Sequence, residues 1–131
     1  MGVTPQSHAD YLQPAVLNLI GRVVEAAEAA GTPVGVHGTA GGDPAAVPLL
    51  VGLGLRQIAV TPDAVARVKQ SIRGLDVGEA RSLVTKALAM DSADEVRRLV
   101  AGFLGADAGA RRPQMGTRQM PDAEGSGDSK P

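Results

Sequence analysis

VGVHGTAGGDP, residues 34–44, is the stretch that decides how this chain folds. With Pro33 in front of it, the apolar run PVGV is too short for a helix and reads as a short buried strand, in which Gly35 lets a second backbone come close. HGTAGGDP then breaks every period, and Asp43 followed by Pro44 supplies a cap and a first helical position for AAVPLLVGLGL. Pro48 falls in the first turn of that helix, where a missing amide costs least. A strand that passes through a glycine-rich loop into a helix is a β/α unit, and His37 stands where its strand ends.

Working outward, PAVLNLIGRVVEAAEAA (residues 14–30) places Val16, Leu17, Ile20, Val23, Val24 and Ala27 at helical spacing, with Asn18, Arg22, Glu25 and Glu28 largely elsewhere. Pro14 suits its first turn, Gly31 its end, and Thr32-Pro33 blocks continuation. Downstream of Gly54, Ile58-Ala59-Val60 reads as a second buried strand and Thr61-Pro62 as another helix start. DAVARVKQSIRG then sets Val65, Val68 and Ile72 on one face, with Arg67, Lys69 and Arg73 off it and facing outward. Two more helices follow. Leu75 to Met90 carries Ala80, Leu83, Val84 and Leu88; Asp91 caps a segment with Val96, Leu99, Val100 and Phe103, and Asp94 is placed for a variant capping box. From Gly105 on, the sequence has no apolar period and is rich in Gly, Pro, Ser and charge, which predicts a disordered tail. The expected divisions are an irregular N-terminal segment 1–13, a packed region 14–104 and a tail 105–131.

Helices alternating with short, nearly all-apolar strands indicate an α/β fold with parallel strands. Two parallel strands leave two unpaired edges, so the region reads as part of something larger. Hydrophobic residues make up 44% of the 131 and aromatic residues 2%, so the core must be built from Leu, Val, Ile and Ala, and a domain this small is marginal alone. A formal net charge of -1 offers no strong attraction to nucleic acid or anionic lipid. The basic set Arg67, Lys69 and Arg73 lacks interleaved aromatics and reads as a solvated helix face. The absence of cysteine excludes disulfides and thiolate chemistry and points to the cytoplasm. MGVTPQSHADYLQP has no basic head followed by an apolar stretch, and no window reaches the roughly 18 apolar residues of a membrane span. His8 and His37 lack further ligands at a recognisable spacing, so no metal site is expected. The glycines of HGTAGGDP miss the lysine and hydroxyl of a phosphate-binding P-loop, and a tight β-to-α loop accounts for them.

Three blocks carry a resemblance: PAVLNLI (residues 14–20), VGVHGTAGGD (34–43) and PLLVGLGL (48–55). With Ile58–Thr61, Arg67–Lys69, Ile72-Arg73, Glu79-Ala80 and Ala87–Ala89 they resemble, in order, the C-terminal part of enzyme I of the bacterial phosphoenolpyruvate:sugar phosphotransferase system, over roughly residues 8 to 104. The resemblance implies a phosphoenolpyruvate-binding TIM barrel, of which this chain supplies the last two β/α units and the terminal helices; a complete barrel takes about 250 residues. It further implies phosphoryl transfer from phosphoenolpyruvate to a histidine on a separate domain and on to a phosphocarrier protein, with Mg2+ bound at the C-terminal face of the strands. In that family the arginines on the phosphate and the Glu and Asp on the metal come from earlier strands. Arg22, Arg67 and Arg73 are therefore not assigned to the phosphate, nor Asp43 or Asp63 to the metal.

The family's strand-end motif reads Cys-Gly-Glu, its cysteine serving as the acid or base at the methylene carbon when enolpyruvate becomes pyruvate. His37-Gly38-Thr39 stands at those positions here. Gly38, Gly42 and Asp43 keep the loop's backbone character, and with Thr39 they form the expected substrate-pocket loop. His37 is the catalytic candidate, because an imidazole with a reference pKa near 6.5 exchanges protons at neutral pH. Its other readings are a non-catalytic pocket residue and a structural histidine. The expected function is that of a C-terminal fragment of a phosphoenolpyruvate-protein phosphotransferase, inactive as an isolated chain and dependent on a complementing barrel fragment. The alternatives are a degenerate interaction or self-association module and a truncated product without a function of its own.

Overall fold

Pro14 opens the first helix, α1 (Pro14–Ala29), and Gly31, at φ 64, lets the chain leave it while the Thr32 amide reaches back 2.9 Å to the Ala27 carbonyl. A computed structural model of the chain describes residues 10–110, with the backbone alone at positions 39 and 107–110. Leu17 and Val24 carry the buried stripe of α1, whereas Val23, expected on the same face, is 49% exposed.

The chain then enters β1 (Gly35–Val36), the short helical turn α2 (Thr39–Gly42), the helix α3 (Ala46–Gly52) and β2 (Gln57–Ile58). β1 and β2 pair in parallel, Gly35 opposite Gln57 and Val36 opposite Ile58, and the Ala59 amide donates to the Val36 carbonyl at 2.8 Å. The second strand thus sits one residue earlier than its apolar core at Ile58-Ala59-Val60 suggests. Parallel pairing is what a helical crossover enforces, since α3 has to carry the chain back to the start of the sheet. The one-turn α2 inside HGTAGGDP has no apolar period behind it and was not expected.

α3 is apolar all round, and it is buried accordingly: Ala46, Val47, Pro48, Leu49 and Leu50 are all inaccessible. It packs against α2, against α4 (Val65–Arg73) and most extensively against α5 (Val77–Leu88). At the α3–α5 contact Gly52 lies against the Ala80 backbone, closer than any side chain would allow. The main core joins Leu12, Leu17, Val24, Leu49, Leu50, Leu83, Val96 and Val100, so the aliphatic core expected from composition is the one observed.

α5 starts at Val77, two residues inside the start read from Leu75, and is capped by Asp76, whose carboxylate accepts from the Glu79 amide at 2.9 Å. α6 (Ala93–Ala110) is capped differently from expectation. The Ser92 hydroxyl accepts from the Glu95 amide at 3.3 Å, and Glu95 reaches back to the Asp91 amide at 2.9 Å, so Ser92 and Glu95 form the box in place of Asp91 and Asp94. α6 also runs past Leu104 to Ala110, beyond the boundary read at residue 105; alanine is the strongest helix former and three of residues 106–110 are alanine. The remainder of the expected tail, 111–131, lies outside the described residues, as does most of segment 1–13. The described region is therefore a mostly helical, partial α/β unit around one two-stranded parallel sheet. No helix among the described residues is long and apolar enough to cross a membrane.

Candidate functional site at the C-terminal end of the sheet

In parallel α/β folds ligands gather where strands end and loops begin. Here both strands deliver residues to one open cleft of about 530 Å3, lined by His37, Gly38 and Gly42 after β1 and by Ala59, Val60, Thr61, Ala64 and Arg67 after β2. That size lies within the usual range for small-molecule sites. A larger groove of about 870 Å3 between α5 and α6 shares no residue with the cleft and sits on the helical side of the molecule.

His37 is exposed. It leaves β1 through Gly38, whose φ of 106 is a conformation that a residue with a Cβ rarely adopts, so the chain turns sharply there into α2. At the far end of the loop Asp43 is held on several sides. Its Oδ1 accepts from the Ala45 amide at 2.8 Å, its carbonyl from the amides of Ala46 at 2.9 Å and Val47 at 3.2 Å, and its Oδ2 from the Tyr11 hydroxyl at 2.5 Å. Asp43 is thus the cap of the helical entry, as its position before Pro44 implies, and its carboxylate is engaged away from the cleft lining.

Of the expected pocket residues, His37, Gly38 and Gly42 line the cleft, Asp43 anchors its loop, and Thr39 opens α2. His8 lies outside the described residues. Arg67, expected on an outward face, is exposed and also lines the open cleft together with His37. Thr61, read only as a helix start, lines it as well. The Thr61 hydroxyl, followed by the backbone amide of Asp63 and the charge of Arg67, holds the exposed Asp63 carboxyl below its ordinary value. The β2 end of the cleft therefore carries one cation, one hydroxyl and a neighbouring carboxylate. Among the described residues no three His, Asp or Glu side chains gather in a form that could hold a metal ion. The Mg2+ that the resemblance implies has no ligand set in this region.

Residues 1–77 match the family described as PEP-utilising enzyme, PEP-binding domain. The chain belongs to that family. It is 47% identical over 91 residues to the multiphosphoryl transfer protein of Rhodobacter capsulatus, covering 70% of this chain and 11% of that protein. It is 40% identical over 91 residues to the phosphoenolpyruvate-protein phosphotransferase of Haloferax volcanii, covering 70% of this chain and 16% of the relative. A phosphoenolpyruvate-dependent phosphotransferase system protein of Escherichia coli strain K12 is 37% identical over 95 residues, 72% of this chain and 13% of its own length. The chain therefore corresponds to one segment of much longer phosphotransferases.

Proposed function

We propose that this chain supplies the last two β/α units of a phosphoenolpyruvate-binding TIM barrel to a phosphoenolpyruvate-protein phosphotransferase, and that it transfers no phosphoryl group by itself. The observation that carries this reading is the cleft: it forms at the C-terminal ends of two parallel strands, where a barrel keeps its active site, in a chain of the PEP-binding family. Two β/α units cannot close such a barrel, and the sheet among the described residues has two strands, so the catalytic centre needs the remaining units from elsewhere. The phosphocarrier protein is the acceptor in this reading and the cytoplasm its compartment. Mg2+ belongs to the part of the centre contributed by the other units.

In this reading His37 handles a proton. Phosphoryl transfer from phosphoenolpyruvate to a histidine leaves enolpyruvate, whose methylene carbon must take up one proton to become the methyl group of pyruvate. His37 is exposed at the cleft directly after the paired residue Val36, and histidine is the side chain suited to that donation near neutral pH, which supports this reading. Gly38, Thr39 and Gly42 shape the loop around it. In a reconstituted mixture with the remaining barrel, His37→Asn should leave the first phosphoryl transfer intact and slow pyruvate release by about 100-fold, the lower end of what general acid catalysis contributes. Unchanged pyruvate release would make His37 a non-catalytic pocket residue.

One observation favours a second reading, an interaction module. Beside β2 runs an apolar groove of about 710 Å3 lined by Val51, Leu55, Ile58, Val60, Val65 and Ile72, and Val65 and Ile72 are 37% and 39% exposed. A surface of this kind next to an unpaired strand edge suits association with another copy or a complementing fragment. Sedimentation equilibrium distinguishes the cases: a concentration-dependent dimer abolished by Ile72→Asp supports the module, and a monodisperse monomer excludes self-association.

A further inference from the structure

The loop that carries the cleft is tied down from outside its own β/α unit. Val36 holds one end through the sheet, where its carbonyl accepts from Ala59 at 2.8 Å. At the exit of α2 the Asp43 amide donates to the Ala40 carbonyl over a long 3.3 Å. The other end rests on Asp43, and of the two carboxylate oxygens one caps the helical entry while the second is free to take a partner from elsewhere. Tyr11, 32 positions upstream, provides that partner with its hydroxyl at 2.5 Å. Tyr11 is itself firmly placed. Asp10 beside it pairs with Arg97 of α6 at 2.7 Å and accepts the Leu12 amide at 3.1 Å, and Leu12 is wholly buried in the main core.

We propose that Tyr11 is a positioning residue for the cleft: its hydroxyl, bonded to Asp43, fixes the loop so that His37, Gly38 and Gly42 face Thr61 and Arg67 across the opening. This rests on the reading of the cleft as the ligand-facing end of the unit. A hydrogen bond to a carboxylate is among the stronger kinds, and its donor cannot be replaced by the backbone of the loop, whose glycines leave it little stiffness of its own. Phenylalanine at position 11 keeps the ring against the core and removes only the tie.

The test uses the full chain labelled with 15N, without phosphoenolpyruvate, so that its outcome is independent of whether the cleft takes that ligand. Tyr11→Phe is expected to shift the His37 imidazole signals and the amide signals of residues 38–45. It should also speed hydrogen exchange at the Ala45, Ala46 and Val47 amides about tenfold, the scale of one charge-assisted bond, while α5 and the second half of α1 keep their spectra. A purely structural role would spread changes along α1 and α6 and leave His37 where it is; that pattern overturns the proposal. Should Tyr11→Phe give no folded spectrum, Asp43→Asn is read instead, since its amide oxygen still caps Ala45 while the phenol loses a charged acceptor. Displacement of the His37 signals there supports the proposal, and unmoved His37 signals refute it.

Discussion

Gly52 at the end of α3 meets the Ala80 carbonyl of α5 at a separation that leaves no space for a Cβ. A methyl group there would strike backbone, which cannot swing aside as a side chain does. The two helices would have to move apart along the most extensive contact in the fold. Gly52→Ala is expected to destabilise by about 1–3 kcal/mol, overriding the gain of at most about 1 kcal/mol from better helix propensity. Urea unfolding checks this, and an equal or higher midpoint would show that the helices are less closely apposed.

The N-terminal turn is anchored by apolar burial more than by charge. Leu12 is fully buried, while the Arg97 and Asp10 side chains that pair beside it are 44% and 28% exposed. Leu12→Ala should cost about 2–5 kcal/mol, and Arg97→Ala less than about 1 kcal/mol, the second loss shrinking further in salt. Denaturation of both variants at low and high ionic strength measures the contrast.

Tyr11 is the only tyrosine and the chain has no tryptophan, so the near-ultraviolet absorbance change on ionisation reports its phenol alone. Burial first, then the bond to Asp43 and the charge of that carboxylate, with a small contribution from Asp10 against Arg97, push the phenol up to about 12. Its folded value is therefore above the unfolded value near 10. The stability it contributes is fully present below pH about 10 and is lost as the pH rises towards 12. A spectrophotometric titration with circular dichroism recorded alongside should find the folded phenol still protonated where a free tyrosine has ionised. A midpoint near 10 in the folded chain would contradict the bond to Asp43.

Asp76 caps α5 through the Glu79 amide. Asp76→Ala should lower stability by about 1 kcal/mol and the melting temperature by about 4–8 °C, whereas Asp76→Ser should recover most of the loss. Thermal unfolding of the pair tests whether the cap or merely the local charge matters.

Much of this architecture was legible because its determinants are local. Pro14 and Gly31 bracket α1, Asp43-Pro44 announces the entry to α3, and the all-apolar AVPLL run declares its own burial. What was not legible depends on distance. The Tyr11–Asp43 bond spans 32 positions, and no periodic pattern predicts such a contact. Helical spacing puts Arg67 outward, and it is exposed, but spacing within one helix does not show that it also reaches the rim of a cleft formed with the loop after β1. At α6 three polar residues, Asp91, Ser92 and Asp94, compete for one cap; the Ser92 hydroxyl meets the Glu95 amide, a choice made by backbone direction that composition does not reveal. The place of His37 at the C-terminal end of β1 was legible from the strand-to-loop transition that follows Val36.

The central claim is that this chain is part of a phosphotransferase centre and is incomplete without the rest of the barrel. The most direct measurement follows labelled phosphoryl transfer from phosphoenolpyruvate to the histidine of the enzyme and on to a phosphocarrier protein, in the presence of Mg2+. It compares this chain alone, a phosphotransferase truncated of its last two β/α units alone, and the two together. Transfer only in the combined sample is the predicted result. Transfer by this chain alone, or a combined sample no more active than the truncated enzyme, would contradict it.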